Sequence, residues 1–175
     1  MAYKQGIREI IEQSKEFYRK QKEYDPYREL WTHLVNKAYT VENGFEMLTK
    51  EEKLYFAVDI FDGEVYNGGM YQFFSNSGEL YEQVVEGLKT LKATKSLLLL
   101  KQAVRILFDK NEPPQNSLRC WQEMKQFPED KNESRPKWEL ELEKIDDQYY
   151  EDLDNLMELV TNYAEEKGLI QPFIK

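Results

Sequence analysis

Three consecutive residues, Asn67-Gly68-Gly69, constrain the fold of this chain more than any others. Before them, Leu54, Ala57, Val58, Phe61 and Val65 keep the 3.6-residue period of a buried helix face. Tyr55, Phe56 and Ile60 widen that face almost all the way round, which predicts a helix running through the core. Asparagine and glycine tolerate positive φ and commonly end helices. The chain then resumes with Met70-Tyr71-Gln72-Phe73-Phe74-Ser75-Asn76, so the block reads as a helix end, a sharp turn and a helix start. Glu64 falls at the edge of the apolar stripe, one turn beyond Ile60. A partly buried carboxylate there needs donors, from the next helix's backbone N–H groups or the amides of Gln72 or Asn76. Such a set makes a structural joint between helices, with Phe73 and Phe74 in the core. The alternative is a ligand or catalytic pocket at Glu64, Asn67 and Gln72.

Almost every other segment also reads as helix. Residues 3–23 carry Ile7, Ile10, Ile11, Phe17 and Tyr18 along one side. Asp25-Pro26 starts the next helix, with Asp as cap and Pro in the first position. Thr49-Lys50-Glu51-Glu52 is a capping box that opens the central helix. Leu80, Val84, Leu88 and Leu91 mark another helix, and Leu97, Leu100, Val104 and Leu107 the one after. Beyond Pro113-Pro114, Leu118, Trp121, Met124 and Phe127 predict a shorter helix, with Cys120 on its buried side. Pro128–Pro136 is a polar linker. No strand pattern and no repeat emerges. The expectation is an all-α fold, a single helical bundle over residues 1–175.

The motif residues Glu64, Asn67, Gly68, Gly69, Gln72, Phe73, Phe74 and Asn76 give the pattern E-x-x-N-G-G-x-x-Q-F-F-x-N. With the amphipathic helix that follows, it resembles the core of a bacterial family catalogued as a domain of unknown function, the DNA-mimic protein C-terminal-domain family. The likeness covers roughly residues 25–130, and Met70 stands where that family more often has Phe. The resemblance implies an all-helical fold, often dimeric, and in at least one member an acidic surface that poses as DNA to a DNA-binding protein.

A second feature lies at the C-terminal end. Trp138, Leu142, Ile145, Tyr149, Leu153, Leu156, Val160 and Tyr163 form a heptad-like seam over an acidic helical segment, 137–168. It predicts one long helix, or two broken near Asp146-Asp147. Residues 137–167 hold 11 acids and 3 bases, a net of −8, whereas the rest of the chain has 22 acids and 21 bases. On one continuous helix, Asp147, Glu151, Asp154 and Glu158 would share a stripe, about 5–6 Å apart along the axis. Successive phosphates of a DNA strand advance about 3.4 Å along the duplex. Such a line of carboxylates could occupy several phosphate sites on a basic surface. Like charges four apart cost a helix roughly 0.2–0.5 kcal/mol per pair, which gives the stripe some weight as a sign of a role. The competing reading is an ordinary solvated face. The candidate partner-binding set is Glu139, Glu143, Asp147, Glu151, Asp154 and Glu158.

A formal net charge of −9 disfavours direct binding to nucleic acid or an anionic membrane. No stretch approaches the ~20 apolar residues of a membrane span, and no signal-peptide block opens the chain. The lone Cys120 suits a buried, reduced thiol, and His33, the sole histidine, lies opposite its helix's apolar face. One histidine cannot supply the paired Glu-x-x-His motifs of a dinuclear metal bundle. No phosphate-binding, dinucleotide or nucleophile-elbow signature is present. The expectation is therefore a cytoplasmic, non-enzymatic interaction protein without metal or cofactor. Its partner is a protein, in the first instance a DNA-binding one. The alternative is an immunity-type or scaffold protein that binds through apolar and shape contacts. A homodimer follows from the resemblance alone.

Overall fold

In the computed structural model, residues 13–15, 19, 23–109, 111–127 and 135–174 are described. The helix expected over 3–23 and the linker Pro128–Pro136 fall largely outside them. From Pro26 onward the described residues form seven α-helices: α1 (Pro26–Thr40), α2 (Lys50–Ser77), α3 (Tyr81–Thr90), α4 (Thr94–Leu107), α5 (Ser117–Glu123), α6 (Lys137–Tyr150) and α7 (Leu156–Glu166). Short 3-10 turns lie at Gly78–Leu80 and Gln171–Phe173, and no strand is found among the described residues. The fold is all-α, as expected. No described helix is long and apolar enough to cross a membrane.

The local start signals act as read. Asp25 accepts from the backbone N–H groups of Tyr27 and Arg28 at the head of α1, with Pro26 in the first position. At the head of α2, Thr49 Oγ1 accepts from Glu52 N (3.1 Å) while Glu52 Oε2 accepts from Thr49 N (2.8 Å). Each arrangement satisfies donors that a helix start leaves open.

Helix α2 is the axis of the bundle. Leu54 to Val58 are all buried, as are Phe61 and Val65, and helices α3, α5, α6 and α7 pack around it. Phe61 precedes the double glycine and Phe73 follows it, yet their rings meet edge-to-face at 5.0 Å. Phe73 in turn meets Phe74 at 5.0 Å, and Phe74 meets Phe108 at 5.2 Å. The aromatics of the motif are core. Cys120 is a buried free thiol, pushed up to about 11 by burial first and then by the charges of Glu79 and Glu123.

Two expectations are corrected. The C-terminal segment is a helix pair, but its break falls between Tyr150 and Leu156, not near Asp146-Asp147. Asp152 and Asn155 adopt left-handed backbone there (φ 45° and 52°), a conformation that Asp and Asn tolerate better than most residues. Leu153, placed on the seam by its spacing, lies on that connection and is exposed. Helix α5 is short, as its spacing predicts, at seven residues, but its buried face is not the one expected. Cys120 and Met124 are buried, whereas Leu118 and Trp121 face outward, and Phe127 instead stacks near Tyr71 (4.3 Å) and Trp138 (5.1 Å). The apolar tail docks on its own chain: Ile170 is buried, and Phe173 lies 5.7 Å from the exposed His33 ring on α1.

Candidate functional site

The motif forms the joint where α6 docks on α2. At Gly68 (φ −164°, ψ 28°) and Gly69 (φ 74°, ψ −176°) the helix is interrupted. Gly69 occupies a region of backbone space that is almost exclusive to glycine. The interruption frees the N–H of Met70, which starts the second half of the helix. Asp146 Oδ1, reaching in from α6, accepts it at 2.8 Å. The two halves are also tied by Glu64, whose Oε2 accepts from Gln72 Nε2 (2.7 Å) and Asn76 Nδ2 (3.0 Å). These are the two amides the sequence pointed to. Asn67 is exposed. Within the joint, Asp146 is thus paired with the Met70 N–H, and Glu64 with the amides of Gln72 and Asn76.

Further contacts fasten α6 to α2. Tyr149 Oη donates to the buried Asp62 at 2.6 Å, and Tyr150 Oη donates to the Val65 carbonyl at 3.1 Å. The Tyr66 ring lies 5.8 Å from Tyr149 and 5.7 Å from Tyr150. Burial pushes Asp146 up to about 6, against the Met70 N–H bond and with help from Asp147 and Glu143. Burial also pushes Asp59 up to about 6, with Asp62 adding to it. Asp62 moves in the same direction for the same reason, against the Tyr149 bond. Composition alone does not set Asp146 apart from the other acids of residues 137–167. Its signal was its register, four residues after Leu142 and three before Tyr149, on the flank of the buried seam.

These shifts fix the sign of a pH effect. A carboxyl whose folded pKa is raised from 3.8 to about 6 binds more protons folded than unfolded across that window. Stability from Asp59 is thus fully present below about pH 4 and is lost as pH rises through 6. Asp59→Asn removes that loss. Relative to the native chain, the variant gains on the order of 2 kcal/mol on going from pH 4 to pH 7, read from urea melts at both.

The candidate acidic residues differ in surroundings. Glu139 and Glu143 share Arg135, at 2.9 and 3.2 Å. Asp147 and Glu151 are exposed and have no hydrogen-bond or ion-pair partner among the described residues. Asp154 is half-buried, its Oδ2 accepting from Ser96 N (2.7 Å) and Ser96 Oγ (2.9 Å) in the first turn of α4. A carboxylate there meets open N–H groups and the positive helix end. Glu158 is exposed and accepts from Asn155 Nδ2 in the first turn of α7. The single stripe expected of Asp147, Glu151, Asp154 and Glu158 does not form, because the break between α6 and α7 separates them. Among the described residues no group of three or more His, Cys, Asp or Glu is placed to hold a metal ion.

A family model described as DMP19-like protein, after a DNA-mimic protein, matches residues 46–167. That span takes in both the joint and the acidic helix pair. No curated protein and no solved structure matches the chain.

Proposed function

The chain belongs to the DMP19-like protein family, and from that membership we propose a non-enzymatic acidic interaction module that occupies the basic surface of a DNA-binding protein. The observation that carries this reading is the charge of the helix pair: residues 137–167 hold a net of −8, nearly all of the chain's −9. The proposed contact set is Glu139, Glu143, Asp147, Glu151, Asp154 and Glu158. Asp147, Glu151 and Glu158 are its most available members, because Arg135 partly neutralises Glu139 and Glu143 and Ser96 holds Asp154. Docking α6 on α2 through Asp146, Tyr149 and Tyr150 gives these carboxylates a fixed frame. Fixed charges lose less entropy on binding than mobile ones. Complementary charge raises association rate and specificity and makes affinity fall with salt.

A second reading rests on apolar side chains of the same helix pair. Leu140, Tyr150, Leu153 and Met157 are exposed beside the carboxylates. An immunity-type or scaffold partner held through them would resist salt. The test is capture from bacterial lysate with the native chain and a triple variant, Asp147→Lys, Glu151→Lys, Glu158→Lys. The DNA-mimic reading expects the partner to bind DNA, and the variant to bind it about 100-fold more weakly at low salt. A partner held equally by both baits contradicts it. Asp154 is left unchanged because its loss would also disturb α4.

A further inference from the structure

We propose that the cavity between α1 and the corner joining α2 to α3 is a binding site for an organic cation carrying N–H groups, an alkylammonium or guanidinium on an apolar stem. The cavity, ≈ 290 Å³, is lined by the rings of Tyr39, Phe45 and Phe56, together with Glu46, Glu79 and Gln83. The Tyr39 and Phe45 centroids lie 5.9 and 6.0 Å from that of Phe56, at interplanar angles of 57° and 54°. The Tyr39 and Phe45 rings are tilted against the buried Phe56 ring, on which Trp31 stacks at 5.5 Å, and aromatic ring faces attract cations.

The polar groups of the cavity ask for the same ligand. Glu79 Oε2 and Gln83 Oε1 are buried, one helical turn apart in sequence, and neither receives a hydrogen bond from a described residue. Buried acceptors left open are uncommon and costly. An ammonium or guanidinium group carries several N–H donors, and its charge suits a carboxylate. Negative field reaches the cavity wall: burial, then the charges of Glu79 and Glu64, push the Tyr39 phenol up. The rim already shows this chemistry, since Lys53 Nζ lies 5.2 Å above the Phe45 ring and 2.6 Å from Glu46. The inner acceptors remain unserved by it. None of these residues belongs to the acidic helix pair, so the site does not depend on that segment's role.

Titration calorimetry of the full chain with agmatine, acetyl-arginine amide and tetramethylammonium tests the site. Agmatine is expected to bind saturably and more tightly than tetramethylammonium, which has the charge but no N–H. Glu79→Gln is expected to weaken agmatine by about tenfold or more, and Tyr39→Ala, at the exposed rim, to weaken it as well. Should Glu79→Gln fail to fold, as judged by its thermal melt, Tyr39→Ala carries the test. Acetyl-arginine amide binding as tightly as agmatine would assign the site to a basic side chain of a protein, and agmatine binding alone would assign it to a free amine. No saturable binding by either, equal binding of tetramethylammonium, or agmatine affinity unchanged in the folded variants would overturn the proposal.

Discussion

Gly69→Ala lowers the stability of the folded chain by about 3 kcal/mol or more, a fall in thermal midpoint of roughly 6–12 °C. Two effects act together. The backbone at Gly69 (φ 74°, ψ −176°) is one that a residue with a Cβ adopts only under strain, at about 1–3 kcal/mol. A Cβ there would also run into the Asp146 carboxylate. Asp146 would have to withdraw and give up the Met70 N–H, leaving a donor open within the joint. Gly63→Ala is the control on the same helix. A Cβ at Gly63 meets nothing within 4 Å, so alanine there stabilises by about 0.5–1 kcal/mol. Chemical denaturation of the two variants therefore gives opposite signs. Equal effects would mean that the interruption is not the joint described.

Phe73→Ala costs about 3–5 kcal/mol, the range for emptying a fully buried phenylalanine site. Phe73 has no exposed surface and bridges the two halves of α2 through its contact with Phe61. Neighbours on both sides are aromatic and held in place, so the vacated volume cannot collapse readily. Trp121→Ala, an exposed aromatic on α5, changes stability by no more than about 0.5 kcal/mol. Urea melts of the pair separate core from surface. If Phe73→Ala kept native stability while partner binding failed, Phe73 would line a recognition pocket and the structural reading of the motif would be wrong.

Features written in adjacent residues were legible in the sequence. The caps at Asp25 and Thr49 are local codes, since donor and acceptor are two or three residues apart. Glu64 could be matched to Gln72 and Asn76 because a carboxylate on a buried stripe demands donors and few were near. The course of α2 through the core followed from its lack of a polar face. Features that depend on tertiary docking were not legible. Asp146 looks like its acidic neighbours until the interruption at Gly69 creates an N–H in need of an acceptor. Asp154 likewise gains its role only when Ser96 is brought beside it. The position of the break in the acidic segment turned on Asp152 and Asn155 taking left-handed backbone, which apolar spacing does not report. Leu118, Trp121 and Leu153 kept the right spacing on segments too short or too irregular to present a continuous face.

The most direct test of DNA mimicry is a competition assay between this protein and duplex DNA for the captured DNA-binding partner, run from low to high salt. The acidic module is expected to displace the duplex at low salt, to lose affinity steadily as salt rises, and to fail when Asp147, Glu151 and Glu158 are reversed to lysine. Displacement that is indifferent to salt and survives the reversal would contradict a charge-based mimic. It would place recognition on the exposed Leu140, Tyr150, Leu153 and Met157 instead.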